Sequence, residues 1–343
     1  MGGLAWQIGA SSVTRALELV GDRWTLMIVG QALLGARRFD EFCKRLGIAR
    51  ATLAARLAFL VERGIMRKID APGEAQHGEY HLTRMGVELN TMGLVSWRWE
   101  KRWRMQRHTH AVHFVHKNCG KPFEPLFVCG HCRDEVRPAD IMFRDNPAAF
   151  SDPRPAPRPQ RRSIVTIASA SGMGRAVGEG ADILGDRWTY LIVAAMFHGT
   201  RRFDNLHAEL GIATNLLADR LKRLVEAGVL ERHTYFSNRQ RHEYKLTDKG
   251  KDLFPIFAAL IRWGDKWLAG PHGPPHQHWH RTCGAELVPT FVCSECREEL
   301  RPRDVAFGLG REPPVVEKPA AKAAGLRNKT VAPKVRPARK APV

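Results

Sequence analysis

No stretch of about 18 apolar residues occurs in the 343-residue sequence, so a membrane-spanning helix is not expected. The opening residues, Met1-Gly2-Gly3-Leu4-Ala5-Trp6, lack a basic region and an apolar core, so a secretory leader is not expected either. Cysteines number only seven, and with no export signal they read as reduced thiols available for metal or redox chemistry rather than as disulfides. There is no Gly-rich phosphate loop, no nucleophile–base set and no three-ligand open metal site, so the sequence does not read as an enzyme. Acidic residues are scarce: 35 Asp+Glu stand against 54 Lys+Arg, for a formal net charge of +19. An excess of that size points to an anionic polymer as partner. The tail 311–343 holds nine Lys/Arg and two Glu, which leaves +12 in the body of the chain. Hydrophobic residues make up 44%, enough for buried cores, and the length suits about two domains at roughly 100–200 residues each.

The sequence repeats itself. Gly21-Asp22-Arg23-Trp24-Thr25 returns as Gly185-Asp186-Arg187-Trp188-Thr189. Arg37-Arg38-Phe39-Asp40 returns as Arg201-Arg202-Phe203-Asp204, and Leu46-Gly47-Ile48-Ala49 as Leu210-Gly211-Ile212-Ala213. Every pair is offset by 164, and 16–143 aligns on 180–307 without a gap. A period that long is a duplicated domain, not a solenoid. Between the copies runs Pro153-Arg154-Pro155-Ala156-Pro157-Arg158-Pro159, the composition of a semi-rigid solvated linker. After Phe307 large apolar residues almost disappear, so 311–343 reads as a disordered basic tail.

Within copy one, 16–20 and 24–34 carry apolar residues at helical spacing and end at Gly21 and Gly35. A short helix over 39–46, a tight turn at Gly47-Ile48-Ala49 and an amphipathic helix ending at Gly64 form a helix-turn-helix pattern. Ile65–Ile69 and Glu79–Leu82 then read as two strands around a polar loop, Ala71 to Gly78, which adds a wing. Thr83 is a good N-cap for a long helix over about 84–105. Copy two predicts helices over 203–210 and about 214–227, a hairpin over 229–246, cap Thr247 and a helix over about 248–268. The expected fold is mainly α with small β-hairpins. Its boundaries are a winged helix-turn-helix over 1–107, a zinc ribbon over 108–144, a linker over 145–163, a second winged helix-turn-helix over 164–271, a second ribbon over 272–310, and the tail.

Leu-Val-Gly-Asp-Arg-Trp-Thr, then Gly-x-Arg-Arg-Phe-Asp, Leu-Gly-Ile-Ala-x-x-x-Leu-x-x-Arg-Leu and Glu-x-Gly, in that order in copy one and with small variations in copy two, resemble the HxlR-type winged helix-turn-helix regulators of bacteria and archaea. The resemblance covers about 16–105 and 180–268. It implies a DNA-binding transcriptional regulator, cytoplasmic and nucleoid-associated, of a kind usually dimerised through terminal helices. Many members place a Cys-Pro pair before the first helix as a thiol sensor; here those positions hold Ala10-Ser11 and Gly174-Arg175, so the resemblance does not extend to that device.

A recognition helix reads base edges with its first residues. With recognition helices over 50–63 and 214–227, those residues are Arg50, Thr52 and Arg56 in copy one and Thr214, Asn215 and Arg220 in copy two. Arg50 could fork onto guanine and Asn215 pair with adenine, whereas Arg56 and Arg220 could equally brace the helix. Arg37, Arg38, Arg201 and Arg202 begin the first helix of each motif, where phosphates would lie, and Arg239 and Arg241 lie in a basic second wing that copy one lacks. Trp99 and Trp103 recur as Trp263 and Trp267 on the long helices, an i, i+4 pair suited to helix–helix packing between copies or chains. Double-stranded DNA is the expected partner, the chain being an intramolecular pseudo-dimer with a further homodimer left open. A protein-interaction scaffold is the alternative.

Six cysteines fall in two matching sets, His116-x2-Cys119-x9-Cys129-x2-Cys132 and His280-x2-Cys283-x9-Cys293-x2-Cys296. Two x2 knuckles can close a tetrahedron on Zn2+, so one structural Cys3His site is expected in each copy. Cys43 matches His207 and reads as a small core residue.

Overall fold

The computed structural model describes residues 11–71, 74–103, 111–151, 185–236, 240–310 and 313–314. Most of the expected linker and all but two residues of the tail lie outside that range. The linker's first residues do not: Asp145 closes a strand, and 147–151 form a 3-10 turn that buries Ala149 and Phe150. Phe150 is held there by the His276 ring, 5.6 Å away.

Copy one contains α1 (Ser12–Val20), α2 (Arg23–Leu33), α3 (Phe39–Leu46) and α4 (Arg50–Glu62), then β1 (Met66–Ala71) and β2 (Glu74–Leu82). Gly47 sits at φ 61°, the left-handed conformation that closes α3 and turns the chain into α4, and Gly211 does the same at φ 60°. The β1–β2 hairpin pairs Met66 with Leu82 through Ala71 with Glu74. Residues 74–78, expected as loop, belong to β2, with Glu74 opposite Ala71 and the register shifting between Ile69 and Ala71. Copy two repeats the plan with α7 (Arg187–Phe197), α8 (Phe203–Leu210), α9 (Thr214–Glu226), β7 (Leu230–Phe236) and β8 (Gln240–Leu246). The counterpart of α1 lies outside the described residues.

The expected long helix is broken in both copies. After the hairpins come α5 (Arg84–Val87) and α6 (Asn90–Trp103), and α10 (Asp248–Lys251) and α11 (Phe254–Leu268). Thr83 and Thr247 do cap: each hydroxyl accepts from the N–H of Gly86 or Gly250, at 3.3 and 3.1 Å. The same hydroxyls donate back to Gly64 and Gly228, which ties the first turn to the hairpin. A Cβ on Gly86 would stand 2.2 Å from the Ile65 carbonyl, so that turn is clamped against the strand. The chain then redirects at Leu89 and Leu253, both buried, and Pro255 at the start of α11 has no N–H to continue the earlier turn.

The copies are joined through these helices. α11 packs on α1 and α6 of copy one. Trp99 Nε1 donates to the Lys249 carbonyl and Trp263 Nε1 to the Met85 carbonyl, both at 2.9 Å. Trp103 Nε1 donates to Asp252 at 2.8 Å and Trp267 Nε1 to Glu88 at 2.9 Å. Each partner is offset by 164 from its counterpart, so the two copies exchange the same bonds. Beyond the long helices, three strand pairs again join one copy to the other. β5 (Pro125–Cys129) pairs antiparallel with β10 (Pro289–Cys293), β3 (Ala111–His116) with β11 (Val305–Gly310), and β6 (Ile141–Asp145) with β9 (His276–His280). Phe127 faces its own repeat, Phe291, with ring centroids 5.4 Å apart. One core cluster runs through both copies.

Because the exchanged indole N–H groups end on part-buried backbone carbonyls, Trp99→Phe and Trp263→Phe should each lower unfolding free energy by about 0.5–1.5 kcal/mol, and by similar amounts. Urea unfolding of the two variants measures both values.

Candidate nucleic-acid interface and metal centres

The Gly-Asp-Arg-Trp-Thr motif has a local reason. Asp22 N-caps α2 by accepting from the Thr25 N–H at 3.1 Å, and Asp186 caps α7 by accepting from Thr189 at 2.8 Å. The same carboxylates hold the recognition helices. Arg56 lies 3.3 Å from Asp22, and Arg220 donates to both oxygens of Asp186 at 3.0 and 2.8 Å. Both arginines are largely covered, at 26% and 18% side-chain exposure. Each makes a charge-assisted bond that fixes α4 or α9 against the start of α2 or α7, which is the bracing role of the two the sequence left open.

Arg37 has a structural role as well. Its Nη1 donates to the Ala32 and Ala36 carbonyls, at 2.6 and 2.8 Å, and so satisfies the C-terminal end of α2. Glu41 accepts the backbone N–H groups of Arg37 and Arg38, which pulls its pKa down. The other candidates remain at the surface. Arg50 is 72% exposed, pairs with Asp40 at 2.7 Å and lies over the Phe39 ring. Thr52 is half-buried; Thr214 and Asn215 are exposed in the first turn of α9. Arg38 and Arg201 are exposed and lean on Glu79 and Glu243, each at 3.7 Å, and Arg202 is exposed beside them. Arg241 belongs to β8 opposite Tyr235, and Arg239 lies outside the described residues.

The eight expected metal ligands come together, but in other sets than expected. One set is His116, Cys119, Cys293 and Cys296; the other is Cys129, Cys132, His280 and Cys283. Each mixes the His-x2-Cys knuckle of one copy with the Cys-x2-Cys knuckle of the other, so the expected quartet within each copy is overturned. The cause is strand pairing. β3 ends at His116 against β11 of the other copy, and β9 ends at His280 against β6. The pairing of β5 with β10 then sets each Cys-x2-Cys turn at the far copy's histidine.

Both kinds of knuckle are tight turns. Gly120 and Gly284 sit at φ 71° and 70°, and each donates its N–H to the histidine carbonyl, at 2.7 and 2.8 Å. The Cys-x2-Cys turns put Arg133 and Arg297 at φ 68° and 60°, the only non-glycine residues with positive φ among those described. Such a conformation costs energy for any residue with a Cβ and persists where the surroundings impose it.

The geometry suits a tetrahedral ion. His116 Nδ1 lies 3.5 Å from Cys119 Sγ and 3.2 Å from Cys296 Sγ. His280 Nδ1 lies 3.3 Å from Cys283 Sγ and 3.4 Å from Cys132 Sγ. Cys119 and Cys293 sulfurs are 3.9 Å apart, Cys129 and Cys283 sulfurs 4.0 Å. A tetrahedron with bonds of about 2.3 Å to sulfur and about 2.0 Å to nitrogen has edges of roughly 3.5–3.8 Å. These separations are too long for disulfides, and all seven cysteines are free thiols. Burial pushes the Cys293 thiol up to about 12, so a cation is needed to make it a thiolate at neutral pH. Both histidines are buried, and no hydrogen-bond partner faces either Nε2 among the described residues.

A helix-turn-helix followed by a wing, twice, defines the class: a winged-helix transcriptional regulator. The HxlR-like helix-turn-helix profile matches residues 19–108 and 183–271, together just over half of the sequence. The chain belongs to that family. An uncharacterized HTH-type transcriptional regulator of Mycobacterium bovis is 44% identical over 132 residues, which are 38% of this chain and 84% of the relative. One from Mycobacterium tuberculosis matches to the same extent. The Bacillus subtilis regulator YvaP is 40% identical over 88 residues, 25% of this chain and 82% of its own length. The family and these relatives are transcriptional regulators, not enzymes. No helix among the described residues is long and apolar enough to cross a membrane.

The brace makes a separable prediction. Arg220→Ala should lower unfolding free energy by about 1.5–3 kcal/mol, since it strips two charge-assisted bonds from Asp186. Arg50→Ala should leave thermal unfolding unchanged, because an exposed pair adds little.

Proposed function

We propose that this regulator is an intramolecular pseudo-dimer that reads double-stranded DNA through α4 and α9, with its two halves fixed by Zn2+ in the mixed quartets. The observation that carries the reading is the division of labour along each recognition helix. Leu53, Leu57 and Leu60, and Leu217, Leu221 and Leu224, bury one face. Arg56 and Arg220 lock the middle, and the first turn leaves Arg50, Thr214 and Asn215 to solvent with Thr52 half-buried beside Arg50. A helix seated that way offers its N-terminal turn to a major groove. Arg50 is held off by Asp40 in an exposed pair, which a guanine edge or a phosphate can replace at little cost.

Arg38, Arg201 and Arg202 stand at the start of α3 and α8, where phosphates pass when the following helix enters a groove. The basic sequence of the second wing adds Arg239 and Arg241 as phosphate-contact candidates in copy two only. The two recognition turns differ, Arg50-Ala51-Thr52 against Thr214-Asn215-Leu216, so the operator is expected to have two unlike half-sites. Zn2+ would be held by His116, Cys119, Cys293 and Cys296, and by Cys129, Cys132, His280 and Cys283. With four protein ligands it leaves no open position and supplies rigidity and half-to-half closure. The basic tail adds salt-dependent affinity for any duplex, consistent with a place on the nucleoid.

Gel-shift titration against fragments of the source genome tests the reading. Arg50→Ala with Asn215→Ala should weaken the preferred fragment about tenfold or more relative to random duplex, with metal content unchanged. Binding without sequence preference, or equal loss on both duplexes, would refute sequence reading by these turns.

A further inference from the structure

Asp40 places a carboxylate on the surface that would meet an anionic polymer. It lies in the first turn of α3 and is 79% exposed. Alone, a negative charge there lowers affinity for every duplex, because it opposes the phosphates that dominate binding. Its surroundings give it another effect.

Asp40 Oδ1 accepts one N–H of Arg50, from Nη1 at 2.7 Å, and the guanidinium stands over the Phe39 ring, 4.8 Å from its centroid. Ring and carboxylate come from neighbouring residues at the start of α3, so two contacts of different kinds hold one side chain at the first residue of α4. No other hydrogen bond or ion pair of Arg50 occurs among the described residues. The remaining N–H groups of the guanidinium are therefore open to the O6 and N7 of a guanine.

The pair itself is exposed and breaks at little cost. What discriminates is the charge left beside Arg50 when DNA arrives. A phosphate bound by Arg50 stands beside the Asp40 carboxylate, and two like charges at contact distance repel by an amount worth about fivefold in affinity even in water. A guanine edge carries no net charge, and the cytosine paired with it presents an N4–H that a carboxylate accepts.

The repeat supplies a control. Phe203 and Asp204 stand at the matching start of α8, and Asp204 is exposed as Asp40 is, but Thr214 takes the position of Arg50. Two carboxylates at equivalent places thus differ in whether an arginine accompanies them.

We propose that Asp40 is a specificity-determining residue of copy one: with Phe39 it positions Arg50 for a guanine and turns it away from phosphate. The proposal rests on the reading of DNA by α4 and adds the residue that makes Arg50 selective.

Binding constants of the full-length, metal-loaded chain test this on two duplexes, one selected by the unaltered protein from a randomised pool and one of random sequence. Asp204→Asn should tighten both alike, by about fivefold at most, leaving their ratio unchanged. Asp40→Asn should tighten the random duplex similarly but not the selected one, so the ratio falls about three- to tenfold. With Arg50→Ala already present, Asp40→Asn should leave the ratio where Arg50→Ala put it, a result that a general effect of charge or folding does not give. A ratio that falls with Arg50→Ala but not with Asp40→Asn, or that falls equally with Asp204→Asn, would overturn this proposal alone. Selection of no preferred duplex, or a ratio indifferent to Arg50→Ala, would overturn both the proposal and the reading beneath it.

Discussion

Neither copy can complete its own C-terminal unit, and the rest of the architecture depends on that constraint. β3, β5 and β6 find their ladder partners in the second copy, and each four-residue ligand set takes two residues from either side. The indole exchange across the long helices repeats the rule closer to the recognition helices. A junction made of reciprocal contacts has a fixed geometry. It sets the distance and angle between α4 and α9 more firmly than a linker could, because a Pro/Arg segment limits only reach. An isologous interface of this type normally needs two chains; here it closes within one.

Fusion frees the halves to diverge. The reciprocal bonds constrain Trp99 and Trp263 together, but they leave the first turns of α4 and α9 and the surroundings of α11 unconstrained. Arg98 contacts Asp252 across the interface at 3.4 Å, whereas its counterpart Arg262 turns to Glu299 at 3.0 Å. Trp97, whose ring meets Phe114, has Ile261 as its counterpart.

Much of this was legible in the sequence. The helix-turn-helix periodicity, the Gly47 and Gly211 turns, the Thr83 and Thr247 caps and the eight His and Cys residues of the two clusters all follow from local chemistry. Which ligands share an ion did not follow, for a physical reason: the two copies have the same spacing, so a knuckle fits its own repeat and the other equally well. Only strand pairing at long range decides between them. The second role of Asp22 and Asp186 was hidden similarly. An N-cap is a local signal, but its bond to Arg56 or Arg220 spans 34 residues in each copy. The break at Leu89 and Leu253 lay beyond periodicity because it comes from the clamp of Gly86 on Ile65.

The most direct measurement of the closure is metal stoichiometry in paired cysteine variants. The unaltered chain should hold two Zn2+. Cys119→Ser with Cys296→Ser removes two ligands from one mixed quartet and should leave one ion per chain. Cys119→Ser with Cys129→Ser removes one ligand from each and should leave none tightly held. The reverse pattern, one ion retained by the second variant and none by the first, would place each ion within a single copy and contradict the account.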